Sequence, residues 1–146
     1  MLKSTRDRAS HRQIKQLMIA AGKVLVAEGQ DDFTRGHISF RLPDDPGRFF
    51  MKAHSLGLDE ITQQNILTID LDGKVVAGKA RRHSEVFIHS EVFKARADVN
   101  CVIHTHPIHA VALSATGRAY SWVWSRSGTC CGWYVWICEA AASAIR

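Results

Sequence analysis

No run of 18 or more apolar residues occurs in the 146-residue sequence, and its first residues lack an apolar signal-peptide core. A helical membrane span and a secretory leader are therefore not expected, and a cytoplasmic protein is. Internal repeats and low-complexity runs are missing too, which leaves a single globular domain rather than a solenoid or a disordered tail. The four cysteines are too few, in a chain without secretory features, to argue for a disulfide framework, so reduced thiols are expected. Histidine is absent after His109, although the chain contains eight. Acidic residues are outnumbered, 14 against 19, giving a net charge of +5. The basic excess is spread out, with some crowding at Lys3, Arg6, Arg8, Arg12 and Lys15. A solvated helix face explains that distribution better than a nucleic-acid groove, so neither nucleic acid nor a membrane is expected as a partner.

What is present reads as ordered structure. Ile14, Leu17, Met18, Ala21, Val24 and Leu25 follow the spacing of one helical face, so a helix is expected from Ser10 to Glu28, stopped by Gly29. A strand is expected from His37, a turn at Pro43–Gly47, and a return strand at Arg48–Lys52. Ile66–Leu71 and Lys74–Gly78 form a second hairpin around Asp72–Gly73. Ser84 is placed to cap a helix over Glu85–Arg96, with Val86, Phe87, Val92 and Phe93 toward the core and His89 one turn beyond Glu85 on the same face. A further helix is expected from His109. This order of elements predicts an α/β fold, three layers α-β-α around a mostly antiparallel sheet.

The chemistry concentrates at Val99–His109. Val99 to Ile103 reads as a buried strand that Pro107 ends. Side chains two apart on a strand project to the same side, so His104 and His106 stand together at its end. Such a pair suits a divalent metal; a polar strand end with two solvated rings has the same spacing. After Ala119 the pattern changes. All four tryptophans and three of the four cysteines lie in the last 28 positions, with no clean period. The chain therefore divides into a domain over residues 1–118 and an atypical tail over 119–146, which suggests a frameshifted or truncated end; a small aromatic cap is the alternative.

Three stretches, Thr34-Arg35-Gly36-His37-Ile38-Ser39, His83-Ser84-Glu85-Val86-Phe87-Ile88-His89 and Asp98 to Pro107, together resemble the class II aldolase/adducin family, over roughly residues 10–118. The resemblance implies a metal-dependent lyase-type enzyme, performing aldol cleavage, epimerisation or decarboxylation on a small sugar-phosphate or sugar-acid carbonyl substrate. It implies a divalent metal, zinc foremost, on His104 and His106, with Glu85 as acid/base beside it. Thr34, Gly36, His37, Ser55 and Ser84 match positions that bind the substrate's anionic end. The metal would polarise the substrate's oxygens and stabilise an enediolate while the carboxylate moves the proton. Family members form homotetramers, and they carry a third histidine ligand well downstream of His106, where this chain has none. A two-imidazole site, impaired activity and an uncovered apolar sheet surface are the expected consequences. Where sugar-phosphate aldolases have Asn, Thr-Gly and Ser, this chain has His37, His54-Ser55 and His83, which makes a carboxylate substrate as plausible as a phosphate. His83, His89 and His109 are expected in plain surface or helix-cap roles. A non-catalytic adducin-like interaction module is the competing reading.

Overall fold

The computed structural model describes residues 5–114, 127–130 and 133–138. Helix α1 spans Thr5–Ala27, followed by β1 (His37–Arg41), β2 (Arg48–Lys52), β3 (Ile66–Asp70), β4 (Val75–Ala77), α2 (Val86–Ala95), β5 (Cys101–Thr105), α3 (Ile108–Ser114), β6 (Ser127–Cys130) and β7 (Trp133–Cys138). The strands form one sheet in the order β4-β3-β2-β1-β5-β7-β6, and every pairing is antiparallel. The fold is the predicted α/β arrangement.

Strand period 2 sorts the side chains into two cores. Ile38 and Phe40 of β1, Phe50 of β2, Ile66 of β3 and Cys101 of β5 meet Ile14 and Met18 of α1. Phe49 and Met51, Leu67 and Ile69, and Val102 point the other way, onto Val86 and Phe93 of α2. One helix layer therefore covers each face. Gly29 stops α1 with φ +64°, and Gly73 turns the second hairpin with φ +77°, both conformations that glycine adopts without steric cost. Among the described residues no helix is long and apolar enough to cross a membrane.

Two details of α2 differ from the sequence reading. Its N-cap position is Glu85, and no side chain caps it. The Glu85 N–H is directed at His83 Nδ1, 3.4 Å away, so an imidazole meets one of the donors at the start of this helix. Phe87 does not reach the core. The buried face of α2 is Val86, His89, Ser90 and Phe93, which leaves Phe87 47% exposed with the Arg82 guanidinium 5.3 Å from its ring centroid. Of the tail, Trp122, Trp124 and Cys131 lie outside the described residues; backbone register sets β7 beside β5, with Thr105 opposite Tyr134.

Helix α1 approaches the segment between β2 and β3 through Gly22. A Cβ built there would lie 2.1 Å from the Leu58 carbonyl oxygen, which is backbone and cannot rotate away. Gly22→Ala is expected to destabilise the domain by about 2 kcal/mol or more, because overpacking exceeds the ~1 kcal/mol that alanine gains over glycine in a helix. A denaturant midpoint equal to or above wild type would refute this contact.

Candidate metal centre

The site forms where β1 and β5 pair. Their register sets His37 directly opposite His104. Alternation then sends His37, Ser39, Val102 and His104 to the α2 side of the sheet, and the buried face of α2 adds His89. The loop before α2 contributes His83 and Glu85, and the segment after β2 contributes His54, whose ring stacks on His83 at 4.9 Å. With His106, whose ring lies 4.9 Å from that of His104, six histidines converge there.

The pair anticipated from the strand spacing is in place. His104 Nε2 and His106 Nε2 lie 3.1 Å apart, and His106 Nδ1 meets Asp32 Oδ2 at 2.8 Å. A carboxylate on the far nitrogen of a ligating imidazole fixes its tautomer and orientation, so Asp32 is suited to support a metal ligand. On the other side of His104, its Nδ1 lies 3.4 Å from His37 Nδ1. The opposite nitrogen of His37 faces Glu85, with Nε2 3.7 Å from Oε2, and the same oxygen is 3.7 Å from His83 Nδ1. The His37 and His83 rings are in contact, centroids 3.8 Å apart. Two sets of three donors come together among the described residues, His37–His89–His104 and His37–His83–Glu85.

Burial governs the charge state. His37, His89 and His104 are fully buried and His83 nearly so. Desolvation, reinforced by neighbouring histidines and Lys52, pushes His83 down to about 4 and His89 to about 3. The His104 imidazole is lowered to about 4 by burial, then by His106 and His83. His37 is driven further down by the same causes. All four are neutral at pH 7, which is the protonation state a metal requires. Two buried nitrogens, His37 Nε2 and His89 Nε2, have no hydrogen-bond partner. His89 is anchored by its other nitrogen, 2.7 Å from Ser39 Oγ. Lys52 is buried too, its ammonium donating to the Thr34 and Leu56 carbonyls at 2.9 and 2.6 Å, and burial lowers it to about 8.

The expectation of surface or cap roles for His83 and His89 is overturned: both are buried inside the cluster, while His109 is exposed as expected. Of the residues matched to anion binding, Thr34, Ser55 and Ser84 are exposed and Gly36 and His37 are buried. Gly36 packs so closely that a Cβ would meet Leu58 Cδ1 at 2.9 Å. Lys52 joins the Thr34 and Leu56 segments, and the His54–His83 stack brings the segments of Ser55 and Ser84 together. Asp32 and Lys52 escaped the sequence reading. The signal for His54 and His83 was visible there: three departures from the family pattern, at positions 37, 54 and 83, are all to histidine.

The model of the Class II Aldolase and Adducin N-terminal domain matches residues 16–142. The chain belongs to this family. A Schizosaccharomyces pombe relative, meiotically up-regulated gene 14 protein, is 29% identical over 119 residues, covering 80% of this chain and 45% of that protein. The 5-deoxy-D-ribulose 1-phosphate aldolase of Bacillus thuringiensis is 26% identical over 103 residues, covering 70% and 48%. Among solved structures, the L-fuculose 1-phosphate aldolase of Glaciozyma antarctica superposes with a TM-score of 0.73 at 25% identity, over 82% of this chain and 50% of that one. The chain spans about half the length of the curated relatives it matches.

Proposed function

We propose that this chain carries the metal-holding part of a zinc-dependent lyase-type enzyme. Its substrate is a small sugar-phosphate or sugar-acid carbonyl compound, and its reaction is aldol cleavage, epimerisation or decarboxylation. The observation that supports this reading best is the His104–His106 pair, with two Nε2 atoms 3.1 Å apart and Asp32 behind one ring. When both rings carry their proton on the far nitrogen, two lone pairs point at one position, so the donor set fits a divalent ion. Zinc held there would act as a Lewis acid on the substrate's oxygens. The similarity to ketose 1-phosphate aldolases supports the substrate class.

The protein's own residues divide the remaining work. Glu85 Oε2 takes and returns the proton, with His37 Nε2 and His83 Nδ1 on its buried side, each 3.7 Å away. Thr34, Gly36, Ser55 and Ser84 receive the anionic end of the substrate, with Lys52 between their segments supplying positive potential. Assembly as a homotetramer, in the cytoplasm, belongs to the same proposal.

The test is turnover of ketose 1-phosphates, pentulose phosphates and sugar acids by the zinc-loaded chain. Slow turnover is expected, abolished by a chelator and restored by zinc. Glu85→Gln should cut it by roughly 10²–10⁴-fold, the usual contribution of a general acid/base, and His106→Ala should abolish it. Turnover that survives chelator or either substitution, or none with zinc bound, overturns the reading.

A further inference from the structure

We infer that His37, His83 and Glu85 form a second metal site, distinct from the His104–His106 pair and in competition with it for a single ion. One donor atom of each residue lies within 4.8 Å of the others, and Glu85 Oε2 faces His37 Nε2 and His83 Nδ1. Zinc–nitrogen and zinc–oxygen bonds of about 2.0–2.1 Å at tetrahedral angles place ligand atoms roughly 3.3 Å apart. The two 3.7 Å separations from Glu85 Oε2 need contract by only a few tenths of an ångström.

Protons decide which nitrogens carry lone pairs, and the hydrogen bonds assign them. Asp32 only accepts, so His106 donates to it from Nδ1 and its Nε2 is left bare. That bare Nε2 accepts from His104 Nε2–H, which strips His104 Nδ1. His104 Nδ1 in turn accepts from His37 Nδ1–H. The relay ends on His37 Nε2, bare, buried and without a hydrogen-bond partner. Beside it, His83 Nδ1 faces the Glu85 N–H, so that nitrogen also carries a lone pair. In the metal-free chain, therefore, the unpartnered His37 lone pair faces the carboxylate oxygen with no proton between them, and the His83 lone pair beside them is engaged only by the long contact from the Glu85 N–H. A lone pair left this way costs about 1–3 kcal/mol when buried, and a cation is what removes the cost.

The same relay makes the two sites exclusive. To hold a metal on His104 Nε2, that ring must move its proton to Nδ1 and donate to His37 Nδ1. His37 then carries its proton on Nε2, directed at Glu85, and no longer has a lone pair for the second site. Two imidazoles plus one carboxylate suit zinc and other divalent first-row ions. The wholly imidazole set, His37–His89–His104, lacks a negative group to offset a buried dication, so it is the weaker arrangement. Lys52 is the opposing charge in this neighbourhood, and its ammonium is committed to the Thr34 and Leu56 carbonyls rather than to Glu85.

The second site stands on its own residues; only the competition rests on the reading of the His104–His106 pair. The test is titration of the metal-free chain with Zn2+ under chelator competition and with Co2+ by its visible absorption. The proteins are wild type, His106→Ala, His83→Ser and the double variant, each checked for a native melting transition. One equivalent is expected in wild type and in each single variant, and none in the double variant. Zinc lost from His106→Ala while His83→Ser retains it overturns the second site, as does zinc retained by the double variant. Two equivalents in wild type overturn the competition. If His106→Ala binds and His83→Ser does not, the second site holds and the zinc pair of the proposed function fails instead. Should His83→Ser fail to fold, His37→Asn removes the same site, and zinc retained by the His37→Asn/His106→Ala double variant carries the same refutation.

Discussion

In the presence of a chelator the protein is expected to unfold between pH 6.5 and about 4.5. His37 and His89 are buried neutral, with desolvation the first cause of their lowered pKa values. In the unfolded chain they regain the ordinary histidine value of about 6.5. The folded pKa lies below the unfolded one, so between the two the unfolded state binds more protons and stability rises with pH. Their contribution is complete above about pH 6.5 and is lost as the pH falls toward the folded values. Each such site removes about 1.36 kcal/mol per pH unit, so these two together remove ~2.7 kcal/mol per unit. Over two units that approaches the whole stability of an ordinary domain, about 5–15 kcal/mol. His83 and His104, both lowered to about 4, act in the same direction. Ordinary carboxylates stay largely ionised down to about pH 5, so the upper part of this window reports the histidines. The measurement is the urea midpoint from pH 7.5 to 4.5. A midpoint constant below pH 6.5 would show that these rings are hydrated and would remove the argument for a water-excluded cluster. Saturating zinc should delay the loss, because ligated imidazoles no longer take up protons.

The sequence made the elements legible where a single period ran uninterrupted. Met18 and Ile14 of α1, the alternation Ile38/Phe40 against Ser39/Arg41 in β1, and the β-branched run into β5 each indicate the face they bury. The His104–His106 pair was legible for the same reason, since a two-residue step is strand geometry alone. His37 opposite His104 was not legible, because that meeting is fixed by the β1–β5 register, a pairing across 67 residues. His89 shows the limit from another side. Its place one turn after Glu85 was read correctly, but a helical histidine does not announce whether its face meets solvent or the sheet. Here Val86, Ser90 and Phe93 carry it inward onto Ser39. The Ser84 cap failed because the helix begins one residue later, which puts Glu85 at the N-cap position and Ser84 outside it. The resemblance to a family and the structure meet at one point: histidines at 37, 54 and 83 look like separate departures along the chain and form one contiguous group of rings in space.

Arg41→Met is expected to cost about 3–5 kcal/mol and to lower Tm by roughly 10–15 °C, although the residue lies outside the histidine cluster. The guanidinium is buried beneath α2 and donates from Nε to the Val99 carbonyl at 2.9 Å and from Nη1 to the Pro46 carbonyl at 2.9 Å. Nη2 donates to the carbonyls of Phe93 and Arg96, at 2.7 and 2.9 Å. The ring of Phe93 lies under it, 4.6 Å from the guanidinium carbon. One side chain on β1 thus links the β1–β2 turn, the C-terminal end of α2 and the residue that leads into β5. Carbonyls at a helix C-terminus have no partner within the helix, so a planar fork of donors is suited to the position. Methionine keeps most of the volume and removes every donor, leaving buried oxygens that each cost about 1–3 kcal/mol. Arg41→Lys should recover only part of the loss, because a single ammonium cannot span carbonyls that converge from three segments. The same link sets the end of α2 against the start of β5, and therefore His89 against His104. Arg41→Met should accordingly weaken zinc affinity as well as thermal stability. Thermal denaturation and chelator competition on the three proteins decide the matter. A Tm within 2 °C of wild type for Arg41→Met would show that water replaces the guanidinium and that α2 is held by its apolar face alone.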